Sequence, residues 1–216
     1  MAVFDCRSYP SPAYRSAGYL GGLDEECDRE LALVESLLSL QHIEAGTYSS
    51  QLVSVDLQAL LPHLIEPFET RAQNQQQTLQ VAIDPDLPTL SLDPLAINRV
   101  ITELLSNACK YTPAGGKICI QASLLKEPSV PYLSNFFQFS ISNTGIEIPI
   151  EEHNRIFDKF YRIPNNDPWR HGGTGLGLAL VKKLVEQMNG VIHIESAAGK
   201  TCFLIQLPLI LAEATF

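Results

Sequence analysis

Glu103, Asn107 and then Lys110 or Tyr111 follow one another at three- and four-residue steps. On a helix this spacing sets a carboxylate, a carboxamide, an ammonium and a phenol side by side. Such a row suits a phosphate ester and its metal. The neutral oxygen of Asn107 suits a hard cation such as Mg2+, the point charge of Lys110 suits phosphate, and Glu103 suits orienting a water or accepting a proton. Spacing alone is equally compatible with a solvated helix face, where Glu, Asn and Lys are common. A second group points the same way. Gly172-Gly173-Thr174-Gly175-Leu176-Gly177 runs directly into Leu178-Ala179-Leu180-Val181-Lys182-Lys183-Leu184-Val185. Glycines admit phosphate close to backbone amides, and the free amides and dipole of the helix start favour an anion. The run is not a P-loop, because no Gly-Lys-Ser/Thr ends it, nor a dinucleotide fingerprint, because irregular chain precedes it. The plainer alternative is a flexible loop that caps a helix.

These groups need elements to hold them. Asp93 and Pro94 read as N-cap and first residue of a helix that runs to about Tyr111, with Ile97, Ile101, Leu104 and Ala108 as its buried face, before Pro113, Gly115 and Gly116 break it. Ahead of it, Gln51 to Leu57 reads as a strand, Gln58 to about Gln73 as an amphipathic helix, and Thr78 to Ile83 as a strand. Behind it, Lys117 to Leu125 and Phe136 to Asn143 are predicted strands. An irregular segment from about Phe160 leads to the helix after Gly177. Val191 to Ser196 and Thr201 to Leu207 form a hairpin around Ala198-Gly199-Lys200. The expected architecture is an α/β sandwich with a mostly antiparallel sheet.

The N-terminal part divides differently. Residues 1–22 read as a poorly ordered lead-in. Residues 23–46 hold one helix, with Cys27, Leu31, Val34 and Leu38 as an apolar seam that stops at Gly46. That seam requires a partner, either its own domain or a second chain in a helical bundle. Residues 47–216 carry the α/β pattern.

Composition narrows the function classes. The 216 residues carry a formal charge of -9, which argues against a nucleic-acid surface, since phosphate backbones reward clustered Lys and Arg. A local basic pocket for one nucleotide remains compatible with it. No apolar run approaches the roughly 20 residues of a membrane-spanning helix, and the start has no secretory pattern, so a cytoplasmic location is expected. The five cysteines, Cys6, Cys27, Cys109, Cys119 and Cys202, form no CxxC pair and read as reduced structural thiols.

Glu103-Leu-Leu-Ser-Asn-Ala-Cys-Lys-Tyr-Thr112, Ile156-Phe-Asp-Lys-Phe-Tyr-Arg162 and Gly172-Gly-Thr-Gly-Leu-Gly-Leu-Ala-Leu180 resemble, in order, the N box, F box and second glycine box of two-component sensor histidine kinases. The resemblance covers about residues 50 to 210 and implies the Bergerat ATP-binding fold shared with gyrase, Hsp90 and MutL ATPases. Residues 26–46, with Leu37-Leu-Ser-Leu-Gln-His-Ile-Glu-Ala-Gly46, resemble the end of the second helix of the kinase dimerisation hairpin.

Carried over by position, the resemblance makes Asn107 the Mg2+ ligand, Glu103 the group that handles a proton or metal-bound water, Lys110 a phosphate contact and Tyr111 a flank of the adenine. Arg162 would stabilise the transferring phosphate through its planar fork. Phe157 and Phe160 would pack the lid. Gly173, Thr174, Gly175, Leu176 and Gly177 would form the lid end against the phosphates. The implied ligands are ATP and Mg2+. The implied partners are a phosphoacceptor histidine domain supplied in trans, a response regulator, and a second copy of the chain through residues 24–45.

Two departures stand out. The first glycine box of the family reads Asp-x-Gly-x-Gly, but here the segment is Asn143-Thr144-Gly145-Ile146-Glu147. Asn143 keeps one acceptor for the adenine amino group, Gly145 is retained, and Glu147 repels phosphate unless it points away. None of His42, His63, His153, His171 and His193 has the surroundings of the family's phosphoacceptor. Self-phosphorylation is therefore not expected. Three functions follow: a kinase catalytic module acting on a histidine elsewhere, a non-catalytic module that binds nucleotide or protein, and an ATPase or anti-sigma-type serine kinase on the same fold. The kinase-like helix argues against the third.

Overall fold

The structure is a computed structural model that describes Cys27 and residues 30–125, 136–164 and 173–209. The lead-in over residues 1–22 lies outside the described residues, as do His171 and Gly172.

Helix α1 covers residues 30–44. Strand β1 (Val53–Val55) is followed by α2 (Leu57–Asn74), β2 (Thr78–Ile83), β3 (Leu90–Leu92) and α3 (Pro94–Tyr111). Strands β4 (Lys117–Leu125) and β5 (Phe136–Thr144) come next, then α4 (Gly177–Gln187) and the strands β6 (Val191–Ala197) and β7 (Lys200–Pro208). The main sheet has the order β2-β4-β5-β7-β6; only β2 and β4 pair in parallel. Helices α2, α3 and α4 pack together over it. This is the expected α/β sandwich with a mostly antiparallel sheet.

The first expected strand is shorter than its sequence suggests, because Asp56 ends it by capping α2. Its Oδ1 accepts from the amides of Gln58 and Ala59, at 2.9 and 3.2 Å, so Leu57 already starts the helix. Val53–Val55 pairs antiparallel with β3, a three-residue strand too short to show an alternating pattern. The β6–β7 hairpin turns on Ala198 and Gly199, with φ of 53° and 71°. Two consecutive positive φ values give the tight turn whose twist matches a two-residue hairpin.

Asp93 starts α3 as expected. Its Oδ1 accepts from the amides of Leu95 and Ala96, at 3.0 and 3.1 Å, while Oδ2 accepts from the Tyr48 hydroxyl at 2.9 Å. That second bond ties the segment after α1 to the start of the site helix. The inner face of α3, including Ile97, Ile101, Leu104 and Ala108, is buried against the sheet.

Helix α1 is apolar on two sides. Leu40 and Ile43 are buried, with Leu33 and Leu37 partly buried beside them, and this stripe docks onto the α/β core. Burying one such side chain contributes about 2 kcal/mol. The seam of Leu31, Val34 and Leu38 stays exposed, with Leu31 at 61%.

Candidate functional site

The positioning elements converge on a cavity of about 380 Å³. One wall is the outer face of α3, with Arg99, Glu103, Asn107, Lys110 and Tyr111. The opposite wall comes from residues 156–163 and the glycine run, and the floor from Asn143, Thr201 and Phe203 at the ends of β5 and β7. Ala32, Leu33 and Ser36 of α1 close one side.

Glycines set how closely the two walls approach. A Cβ added at Gly177 would lie 2.6 Å from Glu103 Oε2, and one added at Gly173 would lie 2.6 Å from Lys110 Nζ. Any larger residue would displace the charged groups that face the loop. Gly175 serves the loop itself. It has φ of 71°, and an added Cβ would meet the Phe160 backbone at 2.7 Å, while its carbonyl accepts from the Phe160 amide at 3.0 Å. This joins the 156–162 segment to the glycine run and holds Phe160 at a positive φ of 62°.

Helix α4 begins at Gly177 without a side-chain cap, whereas Asp56 and Asp93 cap α2 and α3. Its first amides therefore remain available to an anion at the cavity, where Gly177 and Leu178 form part of the wall. The electrostatics agree. Among the described residues the wall carries four permanent or usual cations, Arg71, Arg99, Lys110 and Arg162, against one carboxylate, Glu103. A chain of charge -9 thus concentrates positive charge where the glycines allow close approach.

Within this row, Arg99 Nη2 lies 3.0 Å from Glu103 Oε1. Lys110 Nζ stands 4.9 Å from the centroid of the Tyr111 ring. Burial pushes the Tyr111 phenol above its ordinary pKa, and the nearby Arg162 guanidinium works against that shift. Tyr111 is therefore a neutral ring at physiological pH.

At the floor, Asn143 is 6% exposed and pairs in register with Thr201 across β5 and β7. A chain of hydrogen bonds fixes the threonine. The Ile148 amide donates to Ser196 Oγ at 2.8 Å, and Thr201 Oγ1 donates to the Ile146 carbonyl at 2.7 Å. Ser196 and Thr201 are 2.8 Å apart, so the serine proton is the one directed at the threonine. The remaining lone pair of Thr201 is an acceptor beside Asn143.

The cavity brings together Glu103, Asn107, Lys110, Tyr111, Asn143, Arg162, Gly173, Thr174, Gly175 and Gly177. Gly145 and Leu176 stand off its wall. Gly145 has φ of 121°, and an added Cβ would lie 2.4 Å from Pro113 Cδ, so no side chain fits there. Leu176 is fully buried in the core. Glu147 also points away, its carboxylate accepting from the Gly199 amide in the hairpin turn. Phe157 packs edge-on against Phe203, with centroids 6.4 Å apart, whereas Phe160 is 60% exposed. His153 is tied to the Ile148 carbonyl at 3.0 Å.

Sequence reasoning missed Arg71, Arg99, Ser36 and Thr201. Only Arg99 left a signal, standing four residues before Glu103. Among the described residues no cluster of three or more His, Cys, Asp or Glu could hold a metal by itself. The donor set nevertheless fits Mg2+ that arrives with a phosphate ligand, since this ion takes few protein ligands and keeps phosphate oxygens and water. Asn107 on the cavity wall offers a neutral oxygen of the kind such an ion accepts. The buried Cys109 thiol is pushed above its ordinary pKa by burial and remains protonated. No helix among the described residues is long and apolar enough to cross a membrane.

The sequence pattern of the family described as "Histidine kinase-, DNA gyrase B-, and HSP90-like ATPase" matches residues 92–211. Drug sensory protein A of Synechocystis sp. is 34% identical over 186 residues, covering 84% of this chain and 27% of that protein. Hybrid signal transduction histidine kinase D of Dictyostelium discoideum is 34% identical over 182 residues, covering 83% of this chain and 11% of the relative. The chain thus spans about a quarter or less of these relatives' lengths. Among solved structures, full-length ShkA in complex with AMPPNP superposes with a TM-score of 0.77 at 26% identity, covering 97% of this chain and 42% of that one.

Proposed function

Because this chain belongs to the histidine kinase-, DNA gyrase B- and HSP90-like ATPase family, we propose that it is the catalytic module of a two-component sensor histidine kinase. It binds Mg-ATP and passes the γ-phosphoryl group to a histidine supplied by another chain or segment, for relay to a response regulator. Residues 23–46 are then the end of a dimerisation-hairpin helix and residues 47–216 the ATP-binding domain. The single observation that carries this reading is the cavity wall, where four cations face one carboxylate beneath an uncapped helix start.

Each wall residue then has a task. Asn143 accepts from the adenine amino group on the floor, and Tyr111 flanks the base. Lys110 and the amides of Gly173, Gly175 and Gly177 hold the phosphates, with Thr174 beside them, its Oγ1 accepting from the Leu176 amide. Asn107 would hold Mg2+, which when bound would screen charge on the phosphate oxygens. As the imidazole nitrogen bonds to the γ-phosphorus and the bond to the ADP oxygen breaks, Glu103 takes the imidazole proton. Arg162 steadies the charge on the transferring group through its fork.

The test uses the purified chain. Mg-dependent ATP binding is measured first, then transfer to a separately supplied histidine-bearing dimerisation domain, read as acid-labile phosphate. Saturable binding followed by transfer is expected. No binding at millimolar ATP rejects the proposal. Binding without transfer favours a module that works through protein contacts, and steady hydrolysis without acceptor favours an ATPase.

A further inference from the structure

Beyond its charge, Arg99 has had no task so far. Its Nη2 donates a hydrogen bond to Ser36 Oγ of α1 at 2.8 Å and lies 3.0 Å from Glu103 Oε1 in an ion pair. Ser36 is 5% exposed and donates its own hydrogen to the Ala32 carbonyl at 2.7 Å, leaving a lone pair for the guanidinium. The Arg99 Nε is buried and has no hydrogen-bond partner among the described residues. Its guanidinium is therefore placed by two contacts at one corner. One of them belongs to a different element from the site.

The same helix helps to close the cavity through Ala32, Leu33 and Ser36. At its far end, Glu44 lies 2.6 Å from Lys159 Nζ, in the segment joined through Phe160 to Gly175. On the carboxylate's other side, Oε2 faces Gly177, where only the absence of a side chain leaves it room, since an added Cβ would lie 2.6 Å away.

We infer that Arg99 is a positioning residue through which docked α1 restrains Glu103. With Ser36 in place, the guanidinium stays against the carboxylate and holds its Oε1 in the ion pair, away from an incoming imidazole. When α1 withdraws, Arg99 loses its second anchor, Glu103 is released, and the side of the cavity opens to the acceptor. The inference rests on the catalytic role proposed above for Glu103.

The test compares the full wild-type chain with Ser36→Ala, Ser36→Thr, and Ser36→Ala combined with Glu103→Gln. Three quantities are read: the Kd for Mg-ATP, the rate of transfer to the supplied histidine domain, and amide exchange across residues 30–44. Ser36→Ala is expected to transfer about tenfold faster and to exchange about tenfold faster over α1, the factor at the low end of what loss of one hydrogen bond to a charged group gives. Its Kd should stay within about twofold, because the lost contact is not to the nucleotide. Ser36→Thr, which keeps the hydroxyl, should match the wild type. The gain in transfer should vanish with Glu103→Gln. A Ser36→Ala rate at or below the wild type, or a gain that survives Glu103→Gln, overturns the inference. If the wild type binds no Mg-ATP, the proposed function itself fails, and unchanged exchange over α1 in Ser36→Ala then rejects the restraint separately.

Discussion

Restoring the acid at the cavity floor separates recognition of the base from stability of the fold. Asn143 is 6% exposed, and its neighbour Thr201 has already committed its proton to the Ile146 carbonyl. In the Asn143→Asp variant without nucleotide, no hydroxyl is ready to donate to the new carboxylate. The unpaired buried charge should cost about 1–3 kcal/mol of folding stability. Burial raises the folded-state pKa of such a carboxyl above its unfolded value. The unfolded chain then loses its proton first, so this penalty is absent below about pH 4 and develops as pH rises.

With ATP bound the balance reverses. The adenine amino group supplies a donor, and a hydrogen bond to an ionised acceptor is roughly twice as strong as one to a neutral amide. A gain of about 1 kcal/mol corresponds to roughly fivefold tighter binding. Titration calorimetry with Mg-ATP at pH 8 should therefore show a lower Kd for Asn143→Asp, while thermal melting without nucleotide shows a lower Tm. Glu147→Gln is the control, because that carboxylate serves the Gly199 amide and lies off the cavity wall. Its Kd should stay within about twofold of the wild type. An Asn143→Asp affinity that is unchanged or weaker would refute adenine recognition by this residue.

Asn107→Ala should lower Mg-ATP affinity about tenfold, to the value measured in excess chelator, because one neutral oxygen ligand is lost; calorimetry with and without Mg2+ reads this directly, and unchanged metal dependence would misplace the site. Gly145→Ala forces a side chain into a φ of 121° with its Cβ 2.4 Å from Pro113, and should lose about 2 kcal/mol or more in urea denaturation. Normal stability with ATP binding lost would instead make Gly145 a ligand contact. Tyr48 has its pKa pushed up to about 12 from an ordinary 10 by burial, with the Asp93 carboxylate adding to the effect. The unfolded phenol ionises first, so stability should hold below pH 10 and fall as pH rises from 10 towards 12. In Tyr48→Phe that fall should be missing, and the hydrogen bond it lacks should lower stability by about 1 kcal/mol at neutral pH.

What could be read from the residues depended on how locally each feature is determined. Helix α3 was legible because Asp93-Pro94 caps it and its apolar positions recur at helical spacing, both within one segment. The β6–β7 hairpin followed from one short turn. Thr201 was not legible as a site residue, since its place beside Asn143 follows from the pairing of β5 with β7, strands separated in sequence by α4 and β6 among other residues. Ser36 and Arg99 meet across 63 residues of sequence. Helix α1 shows the limit of periodicity most plainly. Leu31, Val34 and Leu38 make a seam, but Leu33, Leu37 and Leu40 repeat the same steps one face over, and only packing determines that the second stripe is covered.

The degenerate glycine box makes the same point about charge. Read along the chain, Glu147 is a negative group two residues beyond Gly145, where the family carries glycine. In the fold, the β6–β7 turn offers the Gly199 amide within reach, and the carboxylate caps it instead of facing the cavity. The substitution therefore leaves the cation excess of the wall intact, since a charge held outside the cavity and open to water is strongly screened. Asn143 differs in kind, because it is buried on the cavity floor, beside a Thr201 hydroxyl already committed to the Ile146 carbonyl. Of the two departures, only the buried, isosteric one stands on the cavity wall where the proposed adenine contact lies, and the one that looks more disruptive in the sequence is absorbed by a turn.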